Sequence, residues 1–217
     1  MTDILYNLRL LWENVVPRRC AVCNTIIHDG AFCSQCRVDF ALHKMVEDGN
    51  EFNLLYFLFK YKDELRDLIR AVKFQNCTRY IPYLREEAFL AMGTGWSDFL
   101  QQYDYVTWIP TSTDRREERQ FELAEKIFTF LPQEKLKSVL VRTRKTAPLF
   151  SMNREERQKE LAGCFAIKTD VRDKRILLVD DIYTTGSTGR EAARTLHKGG
   201  AKYVDMLGFS ASKDNWD

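Results

Sequence analysis

The chain has 217 residues, of which 33 are Lys or Arg and 31 Asp or Glu, for a net charge of +2, with 45% hydrophobic and 29% charged residues. This balance fits one soluble α/β domain with a small appendage and excludes a surface field strong enough to attract a polyanion globally. Residues 1–16 carry charges without a signal-peptide pattern, and no apolar run reaches the ~18 to 20 residues of a spanning helix, so a cytoplasmic protein without membrane insertion is expected.

In chain order, residues 1–16 place Ile4, Leu5, Leu8, Leu11, Trp12 and Val15 on one helical face, and Pro17 ends the pattern. An amphipathic helix is expected there, docked on its own domain or, less simply, on a partner. Four of the six cysteines follow as Cys20-x-x-Cys23 and Cys33-x-x-Cys36. The segment is too short and too polar for a core of its own, and reduced thiols at this spacing serve as metal ligands more often than as disulfides. Two such turns complete a tetrahedral Zn²⁺ site with no open position, which makes the metal structural. His28 and His43 are not needed as ligands, while Cys77 and Cys164 read as buried thiols. The expected units are an amphipathic helix at 1–16, a zinc module at 17–46 and a main domain at 47–217.

Residues 47–50 form a polar break, and the dense apolar run at 52–61 reads as the first strand of the main domain. Helical spacing returns at 62–74 through Leu65, Leu68, Ile69 and Val72, and a second helix at 80–92 is closed by Gly93 and Gly95. A β-rich segment at 105–109 stops at Pro110. Thr111, Ser112, Arg115, Arg116 and Arg119 follow, where small hydroxyls and cations beyond a strand would face a ligand crevice. A helix at 121–131 ends at Pro132, and a short strand at 139–142 leads into the basic residues Arg142, Arg144 and Lys145. Asn153 can cap a charged helix at 153–161, and another short strand is expected at 165–167.

The most informative stretch is 176–188, ILLVDDIYTTGST. Four apolar residues suit a buried parallel strand, which the acids Asp180 and Asp181 are expected to end. Ligands of open parallel sheets collect beyond the carboxyl ends of strands, and carboxylates there accept hydrogen bonds from vicinal sugar hydroxyls. The segment Thr184, Thr185, Gly186, Ser187 and Thr188 offers hydroxyls, a glycine hinge and the free N–H groups of a helix start, the ingredients of a phosphate site. Thr188 and Glu191 have capping-box spacing. The helix at 190–198, Gly199-Gly200 and a strand at 203–209 complete a right-handed βαβ unit. A phospho-receiver domain also has an acidic pair after an apolar strand, but it needs several later strands, and here only residues 182–217 remain.

At residues 176–188 the chain resembles the type I phosphoribosyltransferases, whose signature for phosphoribosyl pyrophosphate (PRPP) is an apolar strand, two acids and a T-T-G-x-T loop. The resemblance implies an open parallel sheet with flanking helices. It also implies that Asp180 and Asp181 hold the ribose 2′ and 3′ hydroxyls while residues 184–188 wrap the 5′-phosphate. The wider order of features is similar to the bacterial ComF-type competence family, which joins a cysteine zinc module to such a domain. YKDELRDLIRAVKF at 61–74 matches its tyrosine-to-lysine helix, IPTSTDRREERQF its pyrophosphate loop, and RTRKT at 142–146 with Arg157 its arginine-threonine stretch. Thr111, Ser112, Arg115, Arg116 and Arg119 would then face pyrophosphate, with Mg²⁺ neutralising the leaving group. The chain departs from the family string R-G-F-N-Q at Gln120, Glu122 and Leu123, and a family glutamine is replaced by Leu149.

Several functions remain open from sequence. The family resemblance implies a role in DNA uptake and natural transformation, with PRPP, single-stranded DNA and a helicase-like competence ATPase as partners. The alternatives are a phosphoribosyltransferase of nucleotide salvage and a PRPP or nucleotide sensor. No residue stands out as a general base, so neither the acceptor nor turnover is specified.

Overall fold

Ile176, Leu177, Leu178 and Val179 are all fully buried, which places their strand in the middle of the molecule with both faces covered. The computed structural model describes residues 17–47, 51–111, 121–147, 149 and 152–215. The first helix expected at 1–16, and Ser112, Arg115, Arg116 and Arg119, lie outside these residues.

The main sheet contains β1 (Ala41–Glu47), β2 (Leu54–Lys60), β3 (Tyr105–Trp108), β6 (Arg175–Tyr183) and β7 (Tyr203–Ala211), in the order β1-β2-β7-β6-β3. The last four are parallel, and β1 runs antiparallel along the edge of β2. A separate antiparallel ribbon joins β4 (Leu140–Arg142) to β5 (Phe165–Ile167). The helices are α1 (Ser34–Phe40), α2 (Asp63–Gln75), α3 (Ile81–Met92), α4 (Trp96–Gln101), α5 (Leu123–Ile127), α6 (Arg154–Leu161) and α7 (Ser187–Lys198).

Alternation along the strands divides the interior in two. Leu177 and Val179 of β6 face one core with Leu65, Ile69 and Val72 of α2, whereas Ile176 and Leu178 face another with Ala192, Ala193 and Leu196 of α7. The reading of 176–183 needs one correction. β6 does not end at the acids but continues to Tyr183, because β7 offers it partners that far, with Asp180 opposite Gly208 and Tyr183 opposite Ala211.

Three further differences are local. The helix expected at 121–131 is only Leu123–Ile127, since the chain turns at Phe128 and sends residues 135–137 along the free edge of β3. The strand at 52–61 is not the first, because β1 precedes it with a bulge at Ala41–Lys44 where His43 adopts a φ of 45°. The expected boundary between residues 46 and 47 therefore falls inside a paired strand. Finally, Cys164 is fully buried as expected, but Cys77 is only half-buried.

The cysteine arm is bound to the main domain by a buried carboxylate. Glu87 on α3 has no exposed surface, accepts from the N–H groups of Ala31 (2.8 Å) and Phe32 (3.1 Å), and pairs with Arg37 Nε at 2.7 Å. Ile27, Phe32 and Phe40 share the core of α2 and α3, so arm and domain form one hydrophobic unit. Glu87→Ala strands two amides and a guanidinium, and is expected to lower unfolding free energy by about 3 kcal/mol in urea titration. A loss below about 1 kcal/mol would show that the arm is held by apolar contact alone.

Candidate functional site

Asp180 and Asp181 occupy consecutive positions of a strand, so their side chains leave opposite faces of the sheet. Asp181 follows Leu177 and Val179 toward α2, is 5% exposed, and accepts a hydrogen bond from Lys73 Nζ at 2.7 Å. A carboxylate that deep needs such a partner. Asp180 is half-buried and accepts from the Asp181 N–H at 2.9 Å. Burial, and after it the adjacent Asp181 carboxylate, push the Asp180 carboxyl up to about 8; Lys73 and the Asp181 N–H pull the other way.

Beyond the acids the chain turns through Thr184 and Thr185, both exposed, to Gly186. Gly186 has a φ of 73°, and a Cβ there would overlap the Tyr183 hydroxyl, so glycine is required by conformation and by space. α7 starts at the next residue, and its first intrahelical acceptor is Gly186 O, bonded to Arg190 N at 2.8 Å. The N–H groups of Ser187, Thr188 and Gly189 precede that bond and have no helical acceptor. The expected capping box at Thr188 and Glu191 is not formed. Thr188 lies inside the helix, and buried Glu191 bonds instead to Gly163 N (2.7 Å) and Arg194 (2.6 Å). With no side chain capping it, the amide-rich end of a 12-residue helix stays open to an anion.

These parts border one cleft of about 770 Å³, where the acids, the loop 184–188 and Thr111 are joined by Lys73, Arg142 and Arg157. Arg157 donates to Leu149 O (3.0 Å) and reaches Thr185 Oγ1 (3.4 Å), and Thr185 Oγ1 lies 3.0 Å from Ser187 Oγ. Its helix, α6, is fixed by the Asn153–Glu156 capping box. The Arg142 guanidinium lies over the Phe165 ring at 5.3 Å. Among the described residues, Arg142 Nε and Thr111 Oγ1 are buried without a hydrogen-bond partner. Arg144, which the sequence groups with Arg142 and Lys145, is tied instead to Glu160 and the Ala162 carbonyl.

Thus the structure brings Asp180, Asp181, Thr111, Thr184, Thr185, Gly186, Ser187 and Thr188 together. Sequence reading did not assign site roles to Lys73, Arg142, Arg157 or Glu122. Lys73 was legible as the end of the matched 61–74 stretch, but its partnership with a residue 108 positions away depends on packing.

Cys20, Cys23, Cys33 and Cys36 form a second cluster, all four Sγ atoms lying within 4.8 Å of one another and those of Cys23 and Cys33 3.6 Å apart. Tetrahedral Zn–S bonds of ~2.3 Å place sulfurs about 3.8 Å apart, so the donor set and spacing fit zinc. The Thr25 hydroxyl and N–H lower the Cys23 thiol to about 6; at Cys20 burial opposes ionisation, but N–H groups of Cys23, Cys33 and Val22 outweigh it.

A mostly parallel sheet whose buried strand β6 delivers an acidic pair beside a hydroxyl loop and an open helix start defines a type I phosphoribosyltransferase-like fold. A family model described as a phosphoribosyl transferase domain matches residues 124–208. The chain is similar in sequence to the competence and DNA utilization proteins named ComFC and YhgH. It is 33% identical over 149 residues to competence protein ComFC of Streptococcus pneumoniae, covering 68% of this chain but only 63% of that protein. It is 26% identical over 199 residues to DNA utilization protein YhgH of Escherichia coli K12, covering 86% and 87%. For competence protein ComFC of Bacillus subtilis the identity is 24% over 213 residues, covering 94% and 82%. Among solved structures, the purine phosphoribosyltransferase of Pyrococcus horikoshii Ot3 aligns with 62% of this chain and 85% of its own at 16% identity and a TM-score of 0.34. No helix among the described residues is long and apolar enough to cross a membrane.

The raised Asp180 carboxyl has a consequence for stability. Its folded form holds a proton that the unfolded form, near the usual value of ~3.9, releases, so its contribution is present below about pH 4 and is lost as pH rises toward 8. Asp180→Asn removes this penalty. It is expected to raise stability at pH 9 over that at pH 4 by an increment on the order of 1–2 kcal/mol relative to wild type. Parallel denaturation curves for the two proteins at both pH values would contradict the assignment.

Proposed function

We propose that this chain is a competence-associated protein of DNA uptake and natural transformation whose phosphoribosyltransferase-like domain binds PRPP. The observation that carries the reading is the cleft in which an acidic pair, a hydroxyl loop and an uncapped helix start converge. In this reading Asp180, and the oxygen of Asp181 that Lys73 does not take, accept hydrogen bonds from the ribose 2′ and 3′ hydroxyls. Thr184, Thr185, Ser187, Thr188 and the first amides of α7 hold the 5′-phosphate, with Gly186 permitting the close approach and Arg157 adding charge. Thr111, which lines the cleft, is assigned to the C1 side, and the sequence resemblance assigns Ser112, Arg115, Arg116 and Arg119 to the diphosphate. Mg²⁺, when bound with PRPP, supplies charge neutralisation of the diphosphate.

If turnover occurs, the C1–diphosphate bond breaks through an oxocarbenium-like state and an acceptor bonds to C1, with the two acids holding the sugar fixed. The acceptor is left unnamed, because among the described residues no side chain of the cleft is placed as a general base toward one. Cytoplasmic location, a single-stranded DNA partner and a helicase-like competence ATPase belong to the same proposal. They are supported by the names of the relatives and by the basic residues Arg142, which lines the cleft, and Lys145, three positions further along the chain. We assign Cys20, Cys23, Cys33 and Cys36 to one structural Zn²⁺, within the unit at 17–46 that precedes the main domain at 47–217.

Calorimetric titration with PRPP and Mg²⁺ tests the cleft. Asp180→Ala combined with Asp181→Ala is expected to weaken binding at least tenfold while far-UV circular dichroism is unchanged; undiminished affinity would sink the reading. Elemental analysis of the protein purified without chelator is expected to find close to one zinc per chain, with a lower Tm after chelation. Metal-free protein of the same Tm would remove the zinc assignment.

A further inference from the structure

Glu51 grips one face of α7 at three successive turns. Its carboxylate accepts from Arg190 Nη1 at 3.3 Å and from Arg194 Nη2, and its backbone carbonyl accepts from His197 Nε2 at 2.9 Å. Burial works against the Glu51 charge, but hydrogen bonds from Arg194 and Arg190 outweigh it and hold the carboxyl below its usual range. Arg190 carries the contact on toward the loop. Its guanidinium lies over the Phe52 ring at 5.7 Å, and its Nη2 donates to the Tyr183 hydroxyl at 3.4 Å. The Tyr183 side chain is 4% exposed and packed on the Phe57 ring at 4.9 Å, and its hydroxyl lies 2.2 Å from where a Cβ on Gly186 would stand. Arg190 also holds this glycine through the backbone, its N–H donating to Gly186 O at 2.8 Å.

One arginine therefore meets Gly186 twice, by its own N–H and through the tyrosine hydroxyl packed against the glycine. These contacts fix the residue whose φ of 73° sets the direction of the Ser187, Thr188 and Gly189 amides. A cation in the first turn of such a helix would ordinarily be assigned to the phosphate itself. Here, among the described residues, Arg190 lines not the cleft but a neighbouring pocket of about 160 Å³, and Thr185 and Ser187 border both. Arg194 and Arg190 are balanced in that pocket by Glu51 and Glu191.

Building on the phosphoribosyl reading of the cleft, we infer that Glu51, Arg190 and Tyr183 form a strut that positions the phosphate loop, with Arg190 acting as the bridge and not as a ligand of the 5′-phosphate. Two substitutions separate a strut from a simple charge. Glu51→Gln adds net positive charge near the phosphate end, so Coulomb attraction alone would tighten the binding of an anion, whereas a broken strut loosens it. Arg190→Lys keeps the charge but lacks the planar fork that reaches Glu51 and Tyr183 together. Tyr183→Phe removes a single oxygen and leaves the packing on Phe57.

The test is calorimetric titration of the full chain with PRPP and Mg²⁺, with far-UV circular dichroism and Tm reporting the fold of each variant. Glu51→Gln, Arg190→Lys and Tyr183→Phe are each expected to weaken binding by about five- to tenfold. Glu51→Gln combined with Tyr183→Phe should stay within about twofold of the weaker-binding single variant, because both break the same bridge. An affinity within about twofold of wild type, or tighter, in any one folded single variant overturns the inference and leaves the phosphoribosyl reading standing. Fully additive losses in the double variant overturn it as well. If wild type does not bind PRPP, the reading of the cleft fails and the strut with it. Should the charged-residue variants unfold, Tyr183→Phe decides.

Discussion

Two adjacent carboxylates at the end of a buried parallel strand must be kept apart electrically, and the Lys73–Asp181 ion pair does this. Asp181 enters the space between sheet and α2, where an unpaired charge would cost several kcal/mol, and Lys73 meets it at 2.7 Å. Asp180 is left on the other face with its carboxyl raised by burial and by its neighbour. The pair therefore fixes how α2 lies against β6 and divides the labour of the two acids. One is committed to the fold and offers a single oxygen outward. The other faces the cleft and depends on its surroundings for its charge.

The second determinant is backbone donors left without protein acceptors. At the start of α7, the αL conformation of Gly186 and the absence of a capping side chain leave the first-turn amides available. At the end of β3 the opposite holds, since Glu122 takes the Thr111 amide. The cleft, of about 770 Å³, thus offers open amides at the start of α7, while the Thr111 amide at the end of β3 is held by a carboxylate.

The cysteine arm obeys the same economy of buried polar groups. A short segment with few apolar residues borrows the core of α2 and α3 through Ile27, Phe32 and Phe40, and Glu87 satisfies the amides of the turn before Cys33. β1 then continues from the arm into the sheet edge. Four thiols in tetrahedral proximity thereby sit on the same rigid body as the cleft, so the arm is not a bead on a tether.

Local patterns made much of this legible. The apolar run at 176–179, the periodicity of 62–74, the Asn153 cap, the glycine at 186 and the two C-x-x-C turns each reflect short-range rules of burial, capping, φ and metal geometry. All of them correspond to features of the structure, as does the type I phosphoribosyltransferase-like fold. What local rules could not supply were choices made by distant partners. β6 runs past its acids because β7 accompanies it, and the 121–131 helix is cut short because its chain is needed along β3. Glu191 abandons its capping role for Gly163 and Arg194. Lys73, Glu87 and Glu122 look like solvated charges in the sequence. Only the tertiary structure buries their partners and makes them decisive, because the cost of an unpaired charge or amide depends on the packing around it.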